Sequence, residues 1–125
     1  MIIEDEDLLL KAIQKKLGMC GVRPQSCKSG KQALEELKNM TDAHTIPDAI
    51  WLDYHLEDMD GLDFMRALQV DENLAHIPIF VVSNSASPDV VNAMLSLGAI
   101  KYILKAEHSL EEIVSQIKSF ISATK

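Results

Sequence analysis

The chain has 125 residues, of which 47% are hydrophobic and 25% are charged, a balance that predicts one globular domain over residues 1–125 with a buried core. Its formal net charge of −7 argues against direct nucleic-acid binding, because a surface for phosphates needs clustered Lys and Arg. No apolar run reaches the length of a membrane span and no basic stretch leads into a short apolar segment, so we expect a cytoplasmic protein with no membrane partner.

Five short apolar runs, each of the length of a β-strand, alternate with longer amphipathic stretches along the chain. The predicted strands cover residues 2–3, 22–27, 49–52, 79–82 and 100–104. The last three runs are nearly continuously apolar, which is typical of parallel strands that are covered on both faces. The pattern therefore predicts a parallel sheet that is buried between helices.

The amphipathic stretches have the period of an α-helix, and capping residues mark where they begin and end. The predicted N-caps are Ser29, Asp60, Ser87 and Ser109, and the predicted helix ends are Gly18 and Gly98. Gln32 and Glu112 each lie three residues after a serine cap, so both complete a capping box. Pro88 follows its cap at the first helical position, where a missing N–H is tolerated.

Repeated strand and helix units of this size predict an α/β fold. We expect a three-layer sandwich, in which five parallel strands are joined by right-handed crossovers and flanked by five helices. In such sheets the functional residues lie beyond the carboxyl ends of the strands, near the point where the strand order reverses. The residues that directly follow the predicted strands are therefore the first candidates for a site.

Acidic, hydroxyl and cationic side chains occupy these strand ends. They are Glu4, Asp5, Asp53, Ser83 and Lys105. Three crowded carboxylates repel one another unless a cation neutralises them, and Mg²⁺ is a hard cation that prefers oxygen ligands. A lysine and a hydroxyl at the same edge offer donors to an anionic oxygen, as phosphoryl transfer requires.

The ordered set of strand-end motifs resembles the response regulator receiver family over essentially the whole chain. The acidic pair lies in IIEDED, Asp53 in IWLDYHLEDMDG, Ser83 in FVVSN, and Tyr102 and Lys105 in GAIKYILKA. The resemblance implies a flavodoxin-like sheet with strand order 2-1-3-4-5. It also implies a phosphoacceptor signalling domain rather than an enzyme, with slow self-dephosphorylation.

The resemblance implies a metal site and its ligands. Asp5 and Asp53 would bind Mg²⁺ directly, the backbone carbonyl of His55 would be a third protein ligand, and Glu4 would act through a water molecule. Asp53 would then accept a phosphoryl group from the phosphohistidine of a histidine kinase or a phosphotransfer protein.

The resemblance also implies a switch. Lys105 would neutralise charge on the transferred group, and Ser83 would donate a hydrogen bond to one of its oxygens. Movement of Ser83 vacates space that the ring of Tyr102 can fill. We expect the output face to comprise the fourth helix, the fifth strand and the fifth helix, and to bind a downstream protein or a second copy of the chain.

Three positions depart from the family pattern. Glu57 and Ala106 stand where proline is common, and Asn84 stands where a small residue is usual. Because non-proline residues strongly prefer trans peptide bonds, Ala106 favours a trans bond after Lys105.

Three other functions share part of this pattern. A degenerate receiver would bind its partner without phosphorylation, although the intact strand-end set argues against it. A haloacid-dehalogenase-type phosphatase needs a second Asp two residues after its nucleophile, where this chain has His55. A flavodoxin needs a phosphate loop rich in Ser, Thr and Gly after its first strand, and no such loop follows Ile3.

Overall fold

The computed structural model of the chain describes residues 1–85 and 87–124. Its strands are β1 (Ile2–Ile3), β2 (Ser26–Cys27), β3 (Ile50–Asp53), β4 (Ile79–Ser83) and β5 (Lys101–Leu104). Its helices are α1 (Asp7–Met19), α2 (Gly30–Asp42), α3 (Gly61–Gln69), α4 (Pro88–Ser96) and α5 (Leu110–Thr124). Within these two ranges, none of the helices combines the length and the apolar content needed to cross a bilayer.

The strands form one parallel sheet in the order β2-β1-β3-β4-β5, which confirms the predicted fold. In β1, Ile2 pairs with Ser26 of β2 on one side and with Trp51 of β3 on the other. The chain runs outward from β1 to β2 and then crosses back to β3, so the strand order reverses between β1 and β3. A crevice opens at such a point, beyond the carboxyl ends of the strands.

The sheet divides the core into two apolar layers. Alternate residues of β3 serve both layers, because Leu52 packs on the side of Phe64 in α3 while Trp51 packs on the side of Ile13 in α1 and Ile113 in α5. Complete burial of such a side chain stabilises the fold by about 1.5 to 3 kcal/mol. The two layers therefore hold β3 rigidly in the middle of the sheet.

The predicted N-caps are confirmed. Side-chain oxygens of Ser29, Asp60, Ser87 and Ser109 accept backbone N–H bonds in the first turns of α2, α3, α4 and α5. The Glu112 carboxylate accepts the backbone amide of Ser109 at 3.1 Å, which completes that capping box. The box predicted in α2 is displaced, because Gln32 accepts from the amide of Lys28 instead of the amide of the cap.

The predicted end of the first helix at Gly18 is wrong. Helix α1 continues to Met19, and the chain leaves it through Gly21, whose φ of 79° is the conformation that glycine adopts without a Cβ penalty. The amide of Gly21 bonds to the carbonyl of Gly18, and the amide of Val22 bonds to the carbonyl of Leu17. The helix therefore ends where a left-handed residue lets later amides return to its last carbonyls.

The second predicted strand, residues 22–27, is too long. Only Ser26–Cys27 form β2, because the amide of Val22 is bonded to α1 and Pro24 has no N–H for a ladder. The predicted end of the fourth helix is confirmed, since Gly98 follows α4 with a φ of 107°.

Candidate functional site

All five strand-end residues lie at the same edge of the sheet. Glu4 and Asp5 directly follow β1, Asp53 is the last residue of β3, Ser83 is the last residue of β4, and Lys105 follows β5. Because β1 and β4 flank β3 in the sheet, Asp53 occupies the centre of the group.

The three carboxylates form a compact cluster. One oxygen each of Glu4, Asp5 and Asp53 lies within 4.8 Å of the others. Glu4 is 1% exposed and Asp53 is 7% exposed, whereas Asp5 is half-buried. The Glu4 carboxylate accepts the amides of Asp5 and Glu6, at 3.0 and 3.4 Å, so its orientation is fixed by the turn that leads into α1.

Lys105 contributes the cation of the site. Its Nζ lies 3.0 Å from Oε1 of Glu4 and 4.0 Å from Oδ1 of Asp53. The backbone amide of Lys105 donates to the carbonyl of Ser83 at 2.8 Å, which ties the residue to the end of β4. The peptide bond from Lys105 to Ala106 is trans, as Ala106 favours. The lysine therefore reaches the carboxylates from a segment with a trans peptide bond.

The pKa values of the carboxyl groups follow from this crowding. Burial raises the pKa of Asp53 to about 7, and the neighbouring Glu4 adds to the shift while Lys105 opposes it. Although its burial acts in the other direction, the pKa of Glu4 is lowered by its contacts with Asp53 and Lys105. Burial and Glu4 also raise the pKa of Asp5. Without a metal, Asp53 therefore loses its proton near neutral pH rather than near the ordinary value of 3.8.

The other predicted site residues lie around this cluster. Ser83 is fully buried, and its hydroxyl oxygen accepts the amide of Ser85 at 3.3 Å. His55 and Asn84 are both exposed. His55 stands two residues after Asp53 on the loop between β3 and α3, outside the three-carboxylate cluster.

Tyr102 lies in β5 and lines a cleft of about 390 Å³. Its hydroxyl donates to the carbonyl of Ser85 at 2.8 Å, and its ring lies 6.4 Å from that of Tyr54. The cleft is lined by Tyr54, His55, Ser85, Ser87, Val90 and Tyr102. Sequence reasoning missed Tyr54 and Ser85. The alternation of side chains along β3 could have indicated Tyr54, because the residue after Asp53 points to the opposite face of the sheet from Asp53.

The sequence of the chain is similar to a known family and to named members of it. A family model of the response regulator receiver domain matches residues 1–118. The chain is 30% identical over 121 residues to the polar-differentiation response regulator DivK of Brucella ovis, across 97% of this chain and 94% of DivK. It is also 30% identical over 121 residues to the transcriptional regulatory protein PrrA of Mycobacterium leprae, across 97% of this chain. The chain spans 48% of the length of PrrA.

Solved structures show the same architecture. The phosphorylated cyanobacterial phytochrome response regulator RcpA superimposes with a TM-score of 0.86 at 26% identity, over 99% of this chain and 93% of RcpA. A receiver domain of a histidine kinase from Syntrophus aciditrophicus superimposes with a TM-score of 0.81 at 26% identity, over 99% of this chain and 89% of that one. Together with the strand order and the family match, these likenesses show that the chain belongs to the response regulator receiver domain family.

Proposed function

We propose that this domain accepts a phosphoryl group on Asp53, with Mg²⁺ bound beside it, from a histidine kinase or a phosphotransfer protein. The observation that carries the proposal is the position of the Asp53 carboxylate. It is almost fully buried at the centre of the sheet edge, where it forms a cluster with two further carboxylates and has the Lys105 ammonium 4.0 Å from its Oδ1. A carboxylate nucleophile that belongs to a metal-binding cluster and has a lysine ammonium beside it is the arrangement that phosphoryl transfer uses.

The carboxylate cluster fits a divalent cation by its own chemistry. Three oxygens within 4.8 Å, two of them on nearly buried residues, are costly to keep ionised unless a positive charge joins them. Asp5 and Asp53 would hold Mg²⁺ directly, the carbonyl of His55 would be a third ligand, and Glu4 would act through a water molecule. When bound, Mg²⁺ supplies positive charge that offsets the charge of the transferred phosphoryl group.

The residues of the chain account for the transfer step. A carboxylate oxygen of Asp53 attacks the phosphorus, the phosphorus–nitrogen bond of the donor breaks, and the imidazole nitrogen leaves with the electron pair. Lys105 balances negative charge on the phosphoryl oxygens, and the Ser83 hydroxyl donates a hydrogen bond to one of them. The product is an acyl phosphate on Asp53.

Incubation with acetyl phosphate and Mg²⁺, followed by intact-mass measurement, tests the proposal. We expect the protein to gain the mass of one phosphoryl group, and we expect a chelator to prevent the gain. An unchanged mass under both conditions would contradict the phosphoacceptor function and favour a degenerate receiver that binds its partner without phosphorylation.

Asp5→Ala is expected to weaken Mg²⁺ binding by at least about tenfold, because loss of an outer-sphere partner alone costs that much and Asp5 would be a direct ligand. Trp51, the single tryptophan, lies two residues before Asp53, and its fluorescence in a Mg²⁺ titration gives the affinity. Asp7→Ala is the matched control, since Asp7 is an exposed carboxylate that pairs with Lys28 instead. Equal affinities in the two variants would remove Asp5 from the ligand set.

We further propose that Ser83 and Tyr102 switch the face formed by α4, β5 and α5. In this structure the Tyr102 hydroxyl holds the carbonyl of Ser85, two residues after Ser83. A hydrogen bond from Ser83 to a phosphoryl group would pull on the same segment, so the bond to Tyr102 and the bond to the phosphoryl group would compete. Two alternative arrangements of one segment provide the bistable element that a switch requires.

Tyr102→Phe is expected to loosen this segment without affecting phosphorylation. Loss of one hydrogen bond costs about 1 kcal/mol, so amide exchange at Ser85 and Ser87 should accelerate by about fivefold in the unphosphorylated protein. Tyr54→Phe makes the same chemical change in the neighbouring ring and serves as the control. If both variants exchange like the wild type, or if Tyr102→Phe blocks labelling of Asp53, the proposed role of Tyr102 is wrong.

A further inference from the structure

The loop between β3 and α3 is attached to helix α2 by a carboxylate that no sequence motif predicted. Oδ1 of Asp58 accepts the amide of Gly30 at 3.0 Å, and Oδ2 accepts the amide of Lys31 at 2.8 Å. Asp58 lies in the middle of the loop that leads away from Asp53, and the two amides belong to the first residues of α2. One side chain therefore joins the loop to a helix that begins 28 residues earlier in the chain.

These hydrogen bonds satisfy backbone amides at the start of α2. The first amides of an α-helix have no partner within the helix, and a carboxylate is the acceptor that they and the helix dipole favour. Ser29 accepts only the third of these amides, that of Gln32. Asp58 accepts the first two, those of Gly30 and Lys31. The loop between β3 and α3 thus provides the acceptor for the first amides of α2.

A second contact reinforces the attachment. The side chain of Met59 lies against Gly30, so closely that a β-carbon placed there would collide with the methionine sulfur. Inside the loop, the amide of Leu56 donates to the carbonyl of Met59 at 3.2 Å, and the amide of Gly61 donates to the carbonyl of Tyr54 at 2.8 Å. The loop is therefore closed on itself and fixed to α2 at its centre.

We propose that Asp58 is a positioning residue, which sets the metal affinity of the site by holding the loop that carries the His55 carbonyl. The inference rests on the proposed function, because it takes that carbonyl to be a metal ligand. The loop has Glu57 where a proline would restrict the backbone, so its conformation depends on contacts made elsewhere. Besides the bonds inside the loop, Asp58 and Met59 provide such contacts with the start of α2.

A matched pair of variants separates positioning from simple stabilisation of α2. Asp58→Ala removes acceptors of two amides at the start of α2 and releases the loop. Ser29→Ala removes the acceptor of a third amide of the same turn, but Ser29 makes no contact with the loop among the hydrogen bonds of the described residues. Asp58→Asn is the conservative variant, since its amide oxygen still accepts one bond.

The first readout needs no metal and no phosphoryl donor. In metal-free protein, amide exchange at Leu56 is expected to accelerate several-fold in Asp58→Ala and to stay at the wild-type rate in Ser29→Ala. The second readout is the dissociation constant for Mg²⁺, followed by the fluorescence of Trp51. We expect about tenfold weaker binding in Asp58→Ala, partial recovery in Asp58→Asn, and wild-type affinity in Ser29→Ala.

Each outcome decides between the alternatives. Faster exchange at Leu56 together with weaker Mg²⁺ binding in Asp58→Ala alone supports the positioning role. Equal changes in Asp58→Ala and Ser29→Ala, or faster exchange with unchanged affinity, overturn it and reduce Asp58 to a helix cap. If the wild-type protein itself binds no Mg²⁺, the metal site of the proposed function fails, and the positioning role fails with it.

Discussion

Asp53→Asn is expected to take up no phosphoryl group from acetyl phosphate under conditions in which the wild-type protein is labelled. The amide of asparagine has nearly the shape of the carboxylate but lacks its nucleophilic oxygen, so the substitution removes the chemistry and keeps the packing. Intact-mass measurement after incubation with Mg²⁺ gives the result directly. The expected effect is complete loss, because no other carboxylate of the cluster is placed at the centre of the sheet edge.

The control for this variant is Asp63→Asn, an equal change of charge at an exposed position in the first turn of α3. It should be labelled like the wild type. Labelling of Asp53→Asn at the wild-type level would show that another residue is the acceptor. Circular dichroism and thermal unfolding of both variants establish that any loss of labelling is not a loss of fold.

The second large effect concerns stability and pH. Without Mg²⁺, the free energy of unfolding should fall by about 2 kcal/mol between pH 5 and pH 7, with a slope of at most about 1.4 kcal/mol for each unit of pH, and should level off above pH 7. The cause is Asp53, whose pKa is about 7 in the folded protein against 3.8 for an ordinary Asp. Between those values the folded protein keeps a proton that the unfolded chain has lost, so a rise in pH favours unfolding.

Two comparisons isolate this contribution in urea unfolding experiments. Asp53→Asn has no carboxyl group to titrate at this position, so its stability should change less over the same range of pH. Saturating Mg²⁺ should flatten the wild-type curve, because the cation favours the ionised form of Asp53. The lowered pKa of Glu4 acts below pH 5, outside this window. Parallel curves for the wild type and Asp53→Asn would contradict the assignment of the pH dependence to Asp53.

Much of the site was predictable because it depends on regular structure. Burial on both faces gives β3 and β4 their continuous apolar sequences, and the end of such a run locates Asp53 and Ser83 within one residue. Parallel strands place their carboxyl ends at one edge, so residues far apart in sequence were expected to meet there. The salt bridge between Lys105 and Glu4, 101 residues apart, agrees with that expectation.

The parts that sequence reasoning missed depend on loops and on the edge of the sheet. The Asp58 carboxylate accepts backbone amides of α2, and the Ser85 carbonyl accepts the Tyr102 hydroxyl. Nothing in the local sequence of Asp58 or Ser85 indicates these distant partners. The extent of β2 was overestimated because Val22 is apolar, yet its amide completes the end of α1. Local pattern predicts an element well when burial dictates it, and poorly when a distant partner does.

The short strand β1 affects where the sheet can separate by local unfolding. Strand β1 has two residues, and so does β2 beside it, whereas β3, β4 and β5 have four, five and four. Strands with so few ladder bonds separate from the rest of a sheet at a lower free-energy cost than global unfolding. Glu4 and Asp5 directly follow β1, whereas Asp53 belongs to the longer strand β3. A divalent ion shared between Asp5 and Asp53 would therefore link the part of the sheet that has two-residue strands to the part that has longer strands.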